Sequence, residues 1–133
     1  MANAIYPSWK EALLQFSTNN NLSAGDVRVA LIDTGVYTFN SSHQFLDDIS
    51  GVVGTSPPIT TKTFTNGIFD GDNVVFSSVS GSTVEAVILY IDTGVASTSP
   101  LVAFLDTGFT GLPFTPNGGN VELTWDSTGI FQL

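Results

Sequence analysis

The sequence predicts a mainly β fold: an antiparallel β-sandwich or jelly-roll-like domain with a short N-terminal helix. Three observations lead there. Short runs rich in Val, Ile, Thr and Phe recur along the chain. Clusters of Gly, Asn, Asp and Ser separate them, as chain reversals require. No helical pattern stands between the runs, which disfavours a parallel α/β sheet. With 133 residues, 42% of them hydrophobic, residues 1–133 form a single domain with enough apolar material for one core.

The helix is expected over residues 7–18. Pro7 suits a first helical position, where its missing N–H is not needed. Trp9, Leu13 and Phe16 fall on one face, and Asn19, Asn20 and Asn21 stop the element because their amides compete for backbone hydrogen bonds. A second short helix is expected over residues 43–49, capped by Ser41 or Ser42, with Phe45 and Ile49 turned inward. Val27, Val29 and Leu31 alternate with Arg28 and Ala30, a strand period. Further strands are expected at 59–65, 73–79, 84–91, 101–106, 120–125 and 129–133. The stretch from Val84 to Ile91 is apolar on both faces except at Glu85, so it reads as a central strand covered on both sides. Turns are expected at Asn66 and Gly67, Asp70 to Asp72, Ser80 to Ser82 and Asn117 to Gly119.

Composition excludes several functions. Twelve acidic residues face only Lys10, Arg28 and Lys62, for a net charge of −9. Three scattered cations cannot neutralise a phosphate track, so no nucleic-acid partner is expected. An acidic chain is repelled by anionic lipid, and the longest apolar run, Ala86 to Ile91, is far too short to span a bilayer, so no membrane partner is expected. The absence of Cys removes disulfides and thiolate chemistry. The opening Met-Ala-Asn-Ala-Ile-Tyr-Pro has no basic n-region and no apolar h-region, so no secretory leader is expected.

Four motifs carry candidate chemistry. Asp-Thr-Gly occurs at Asp33, Asp92 and Asp106, each time after an apolar strand. In aspartic proteases two such loops meet and their carboxylates share a proton, so a homodimeric retropepsin-like protease working at Asp33 is one reading. Against it, Val36, Val95 and Phe109 follow where Ala or Ser is usual, and three copies do not make a dyad. The competing reading is turn chemistry at strand ends. Asp70, Asp72 and Asn73 offer oxygen ligands for a hard cation but lack EF-hand spacing, and read instead as a solvated hairpin loop. His43 is the sole histidine, no Gly-x-Ser-x-Gly elbow accompanies it, and it reads as a surface residue. No catalytic residue, metal or cofactor is therefore expected. The loop at 111–119 carries Leu112, Pro113, Phe114 and Pro116. Its apolar residues either pack back onto the sandwich edge or form a stiff, preformed contact for a partner.

Several longer segments resemble a known family. Met1-Ala-Asn-Ala-Ile-Tyr6 with Asp26-Val-Arg-Val-Ala-Leu-Ile-Asp-Thr34 is similar to the opening of small virion structural proteins of tailed bacteriophages. His43-Gln-Phe-Leu-Asp-Asp-Ile49, Val84-Glu-Ala-Val-Ile-Leu-Tyr90 and Asp92-Thr-Gly-Val-Ala-Ser-Thr-Ser99 resemble their middle. Leu112-Pro-Phe-Thr-Pro-Asn-Gly-Gly119 and Ile130-Phe-Gln-Leu133 resemble their end. At the first turn after the helix, Asn19, Asn20 and Asn21 depart from a more acidic stretch in that family. The resemblance implies a virion role and carries over no catalytic residue. The expected function is a capsid decoration, or cement, protein. It would be made in the host cytoplasm and bound outside the head to the major capsid protein or another virion protein, as a homo-oligomer. A tail, neck or receptor-binding component is the alternative. The expected contact is Leu112, Pro113, Phe114 and Pro116.

Overall fold

The computed structural model describes residues 3–15, 20–107 and 109–133. Among them the chain is mainly β, with one α-helix near the N-terminus and three antiparallel sheets forming a β-sandwich-like fold. In chain order the elements are β1 (Ala4–Ile5), α1 (Pro7–Leu14), β2 (Asp26–Ile32), β3 (Val52–Thr55), β4 (Ile68–Phe69), β5 (Val74–Phe76), β6 (Ala86–Asp92), β7 (Leu101–Leu105), β8 (Phe109–Thr110), β9 (Val121–Trp125) and β10 (Phe131–Gln132). Single 3-10 turns occupy Leu46–Asp48, Thr65–Gly67 and Ala96–Thr98.

The main sheet has the order β1-β7-β6-β2-β3, and β6 is its central strand. Residues Ala86 to Ile91 are all buried, as a run without polar alternation demands. Val87, Leu89 and Ile91 point to one face, where they join Val27, Val29 and Leu31 of β2. The β5-β9-β8 and β10-β4 sheets close that face with Phe76, Leu123, Trp125 and Phe69, and Trp9 of α1 joins them. Ala86, Ile88 and Tyr90 point to the other face with Ala30, Ile32 and Phe104. That face is covered without strands, by Tyr6, Tyr37, Phe39, Leu46 and Ile49. The alternation in β2 therefore marks two buried faces, not one: Ala30 is as inaccessible as Val29.

Several expected elements differ. Helix α1 ends at Leu14, with the Gln15 N–H donating to the Glu11 and Leu13 carbonyls. Pro7 stands at its start as expected. Trp9 is buried and Leu13 packs against the core, whereas Phe16 and Asn19 lie outside the described residues. The helix ends well before Asn21, whose side chain instead opens the following turn, accepting from the Ser23 and Ala24 N–H groups at 2.8 and 3.2 Å. The expected 43–49 helix is a single 3-10 turn whose start is held by Asp48, not by Ser41 or Ser42. The Asp48 carboxylate accepts from the Gln44 and Phe45 N–H groups at 2.9 Å each, and these bonds hold it below the usual carboxylate range. Residues 59–65 form no strand beyond an isolated bridge from Thr63 to Asp70. Pro57 and Pro58 precede the segment and cannot donate to a ladder. Thr60 and Thr61 then turn their hydroxyls onto Asp72, and the Lys62 ammonium is drawn to the Leu22 and Gly25 carbonyls. The chain does reverse at Asn66 and Gly67, both at positive φ, bringing Thr63 opposite Asp70.

The β6 core gives a stability prediction. Leu89→Ala removes a side chain with no solvent exposure from the centre of the sheet. It should lower the unfolding free energy by about 2–5 kcal/mol while the far-ultraviolet circular dichroism stays β-dominated. Chemical denaturation of both proteins measures the difference.

Candidate functional site

The loop at 111–119 is fastened to the segment 78–84 at several points. Phe114 and Val84 exchange two backbone hydrogen bonds, of 2.9 and 3.1 Å. Gly118 N–H donates to the Val79 carbonyl at 2.7 Å, and Val79 N–H returns to Gly119 at 3.0 Å. The Thr83 and Thr115 hydroxyls lie 3.0 Å apart, and Asn120 accepts from Ser78 N–H at 3.1 Å. Gly111 has φ +119°, and a Cβ there would stand 2.9 Å from a Leu123 methyl group. Only glycine allows that approach. Leu112 and Phe114 pack against the core and remain half-buried, Pro116 is half-buried, and Pro113 is exposed. The apolar pair thus packs back onto the sandwich while one side stays open to solvent.

Two of the three Asp-Thr-Gly segments are seen to act as turns. Asp33 Oδ1 accepts from Gly35 N–H at 2.8 Å, and Asp92 Oδ1 accepts from Gly94 N–H at 2.9 Å. Both are side-chain turns spanning two residues. Asp33 follows the end of β2, whereas Asp92 pairs in register with Asp26 at its start, so the two carboxylates lie at opposite ends of that strand. Asp106 follows β7, and its N–H donates to Asn3 Oδ1 at 2.7 Å; Gly108 lies outside the described residues. Asp92 has a second role that its motif does not announce. Asp26 and Asp92 stand directly opposite each other, which for like charges is unfavourable. Arg28 lies between them, with two hydrogen bonds to Asp26 (3.1 and 3.0 Å) and an ion-pair contact with Asp92 at 3.2 Å.

The Asp70 to Asn73 segment uses its acceptors internally. Asp72 takes two Thr hydroxyls, Asp70 takes the Gly71 N–H at 2.8 Å, and Asn73 takes the Trp125 N–H at 3.2 Å. Among the described residues no group of three or more His, Asp or Glu side chains is placed to hold a metal ion.

His43 is not simply a surface residue. Its Nδ1 lies 2.8 Å from the Tyr37 hydroxyl, which lies 2.8 Å from the Tyr6 hydroxyl. Tyr6 is fully buried and Tyr37 nearly so. With neutral His43 each phenol has an acceptor, Tyr6 donating to Tyr37 and Tyr37 to the imidazole. Sequence reasoning missed this relay because 31 residues separate the two tyrosines. The one available signal was that a buried Tyr needs a partner for its hydroxyl.

Two predictions follow from these contacts. Asp33→Asn should leave stability within about 0.5 kcal/mol, since Asn supports the same turn. Asp92→Asn should cost up to about 1 kcal/mol more, because it also weakens the partly exposed Arg28 bridge. Urea unfolding of both variants separates the roles. The second concerns alkaline pH. Burial pushes the phenols of Tyr6, Tyr37 and Tyr90, the only tyrosines, above the ordinary value. The folded state therefore holds these protons more tightly than the unfolded chain. The stability they contribute is fully present below about pH 10 and is lost as pH rises above it. Tyrosinate absorbance should appear together with loss of the circular dichroism signal; ionisation within an intact fold would contradict the burial.

Compared with known proteins, the chain matches no protein-family model, and no curated protein matches it significantly.

Proposed function

We propose that this chain is a structural component of a tailed-phage virion, a decoration protein that binds the outside of the head and stabilises the shell. The observation that carries this reading is the loop at 111–119, held by backbone bonds on Val79 and Val84 with Pro113 exposed and Leu112 and Phe114 half-open. A contact already fixed in its bound shape loses little conformational freedom on docking. The resemblance of almost the whole chain to small phage virion proteins supports the same reading. Charge supports an apolar contact. Arg28 is bridged to two carboxylates and Lys62 to two carbonyls, which leaves the exposed Lys10 as the one remaining cation against twelve acidic residues on an acidic copy of the chain. Self-association into a homo-oligomer then rests on apolar and backbone contacts, with acidic groups at the rim. The partner is the major capsid protein, and added interface between neighbouring subunits resists their separation.

Two measurements test the proposal. Purified particles should contain this protein in numbers near those of the major capsid protein; a number near that of the portal would place it in the tail or neck. Purified protein should also rebind stripped heads equally at low and high salt, because apolar contacts are not screened. Phe114→Ala, and Thr115→Arg at an exposed position of the loop, should each reduce bound copies at subsaturating protein by about fivefold or more. Thermal unfolding of each variant controls for folding. Unchanged occupancy in both would remove the loop from the interface, and release of the native protein by moderate salt would show that charge holds it.

A further inference from the structure

A cleft of about 350 Å³ lies on the outer side of α1. Its volume is at the lower end of that of small-molecule sites. Glu11, Ala12 and Gln15 form one wall, at helical spacings that put them on one face of α1 and beside its end. Gln44, Phe45 and Pro100 form the other wall. That wall is fixed by backbone bonds from Leu46 to Ser99 and from Leu101 to Gln44, 2.9 Å each, and by the bridge between Phe45 and Pro100. Trp9, buried and anchored by its indole N–H to the Asn20 carbonyl at 3.3 Å, lies at the base.

We propose that this cleft binds a neutral pyranose unit of a saccharide, between the Gln15 and Gln44 amides and against the Phe45 ring. The chemistry of the lining selects that class. Each amide offers a donor and an acceptor side by side, the pattern that a pair of neighbouring sugar hydroxyls matches. Among the described residues, no hydrogen bond within the chain occupies either amide. The half-buried Phe45 ring supplies flat apolar surface for the C–H face of a sugar, with the buried Pro100 beside it in the wall. Among the described residues Glu11 is the one charged group in the lining, with no cation beside it there, so a phosphate or carboxylate ligand is repelled. A purely apolar ligand would leave both amides and the Glu11 carboxylate desolvated against it. The site lies on elements other than the 111–119 loop, and the inference does not depend on shell binding.

The test uses the isolated chain and nuclear magnetic resonance. Glucose, galactose and N-acetylglucosamine are the probes, with inorganic phosphate and free lysine as charged controls. At least one sugar should give saturable shifts at the backbone amides of Gln15, Gln44 and Phe45, with a Kd on the order of millimolar, as a small open site allows. Gln44→Ala, an exposed position, and Phe45→Ala should each weaken binding by about fivefold or more, and Gln44→Ala should leave thermal stability unchanged. The inference is overturned if no sugar shifts these amides up to about 50 mM, a Kd too weak to be a site. It is equally overturned if a charged control binds as well as the sugars, if the shifts map elsewhere, or if Gln44→Ala binds as the native protein does. Because no capsid is present, failure here leaves the head-binding experiment to decide its own question.

Discussion

The fold depends on one strand that has no polar side. Six consecutive apolar residues of β6 are removed from water, three toward each face. A strand of this kind is stable only if it is paired along both edges and covered above and below. β2 and β7 provide the edges, through seven register pairs on one side and four on the other. The small sheets and Trp9 cover one face, and the strandless segment with Tyr37, Phe39, Leu46 and Ile49 covers the other. Most remaining elements are best understood as cover for that strand.

Covering a sheet with loops raises a second difficulty, since a buried loop carries backbone and hydroxyl groups that need partners. This chain meets it largely with carboxylates and amides. Asp33, Asp48, Asp72, Asp92 and Asp126 each accept hydrogen bonds from nearby N–H or hydroxyl groups. Asn21, Asn40 and Asn117 act likewise. The large acidic excess is thus partly a turn-forming device as well as a surface property. Other polar groups reach distant partners, among them Tyr6 with Tyr37, Asn73 with Trp125, Asn3 with Asp106, and Arg28 with Asp92 across the β2–β6 pair.

The two surfaces proposed to bind differ in physical kind. The 111–119 loop presents half-buried apolar side chains on a backbone tied to the sandwich, which suits a protein surface. The cleft beside α1 combines amides, one carboxylate and an aromatic ring around an open recess, which suits a small polar ligand. Each is built on a frame that the core holds in place, so a substitution at its rim can change binding without changing the fold.

The amino-acid sequence by itself determined the β class, the antiparallel arrangement, the central strand and Pro7 at the helix start. These follow from local pattern: an apolar run without alternation, Gly and Asn where φ is positive, and a residue lacking an N–H. The stiff loop was legible too, because Pro and Gly restrict or free the backbone wherever they occur. Only the tertiary structure decided the rest. Residues 59–65 have strand composition, but Asp72 and the Leu22 and Gly25 carbonyls draw their side chains away from a ladder. β3 and β4 are short or carry Gly, and exist because β2 and β10 offer partners. His43 looked solitary until folding set it beside a tyrosine. The wall of Gln44, Phe45 and Pro100 opposite Glu11 and Gln15 exists only because folding brings distant segments beside α1. Local pattern fixes what a segment can form, whereas partners brought from a distance decide which of those possibilities has the lower free energy.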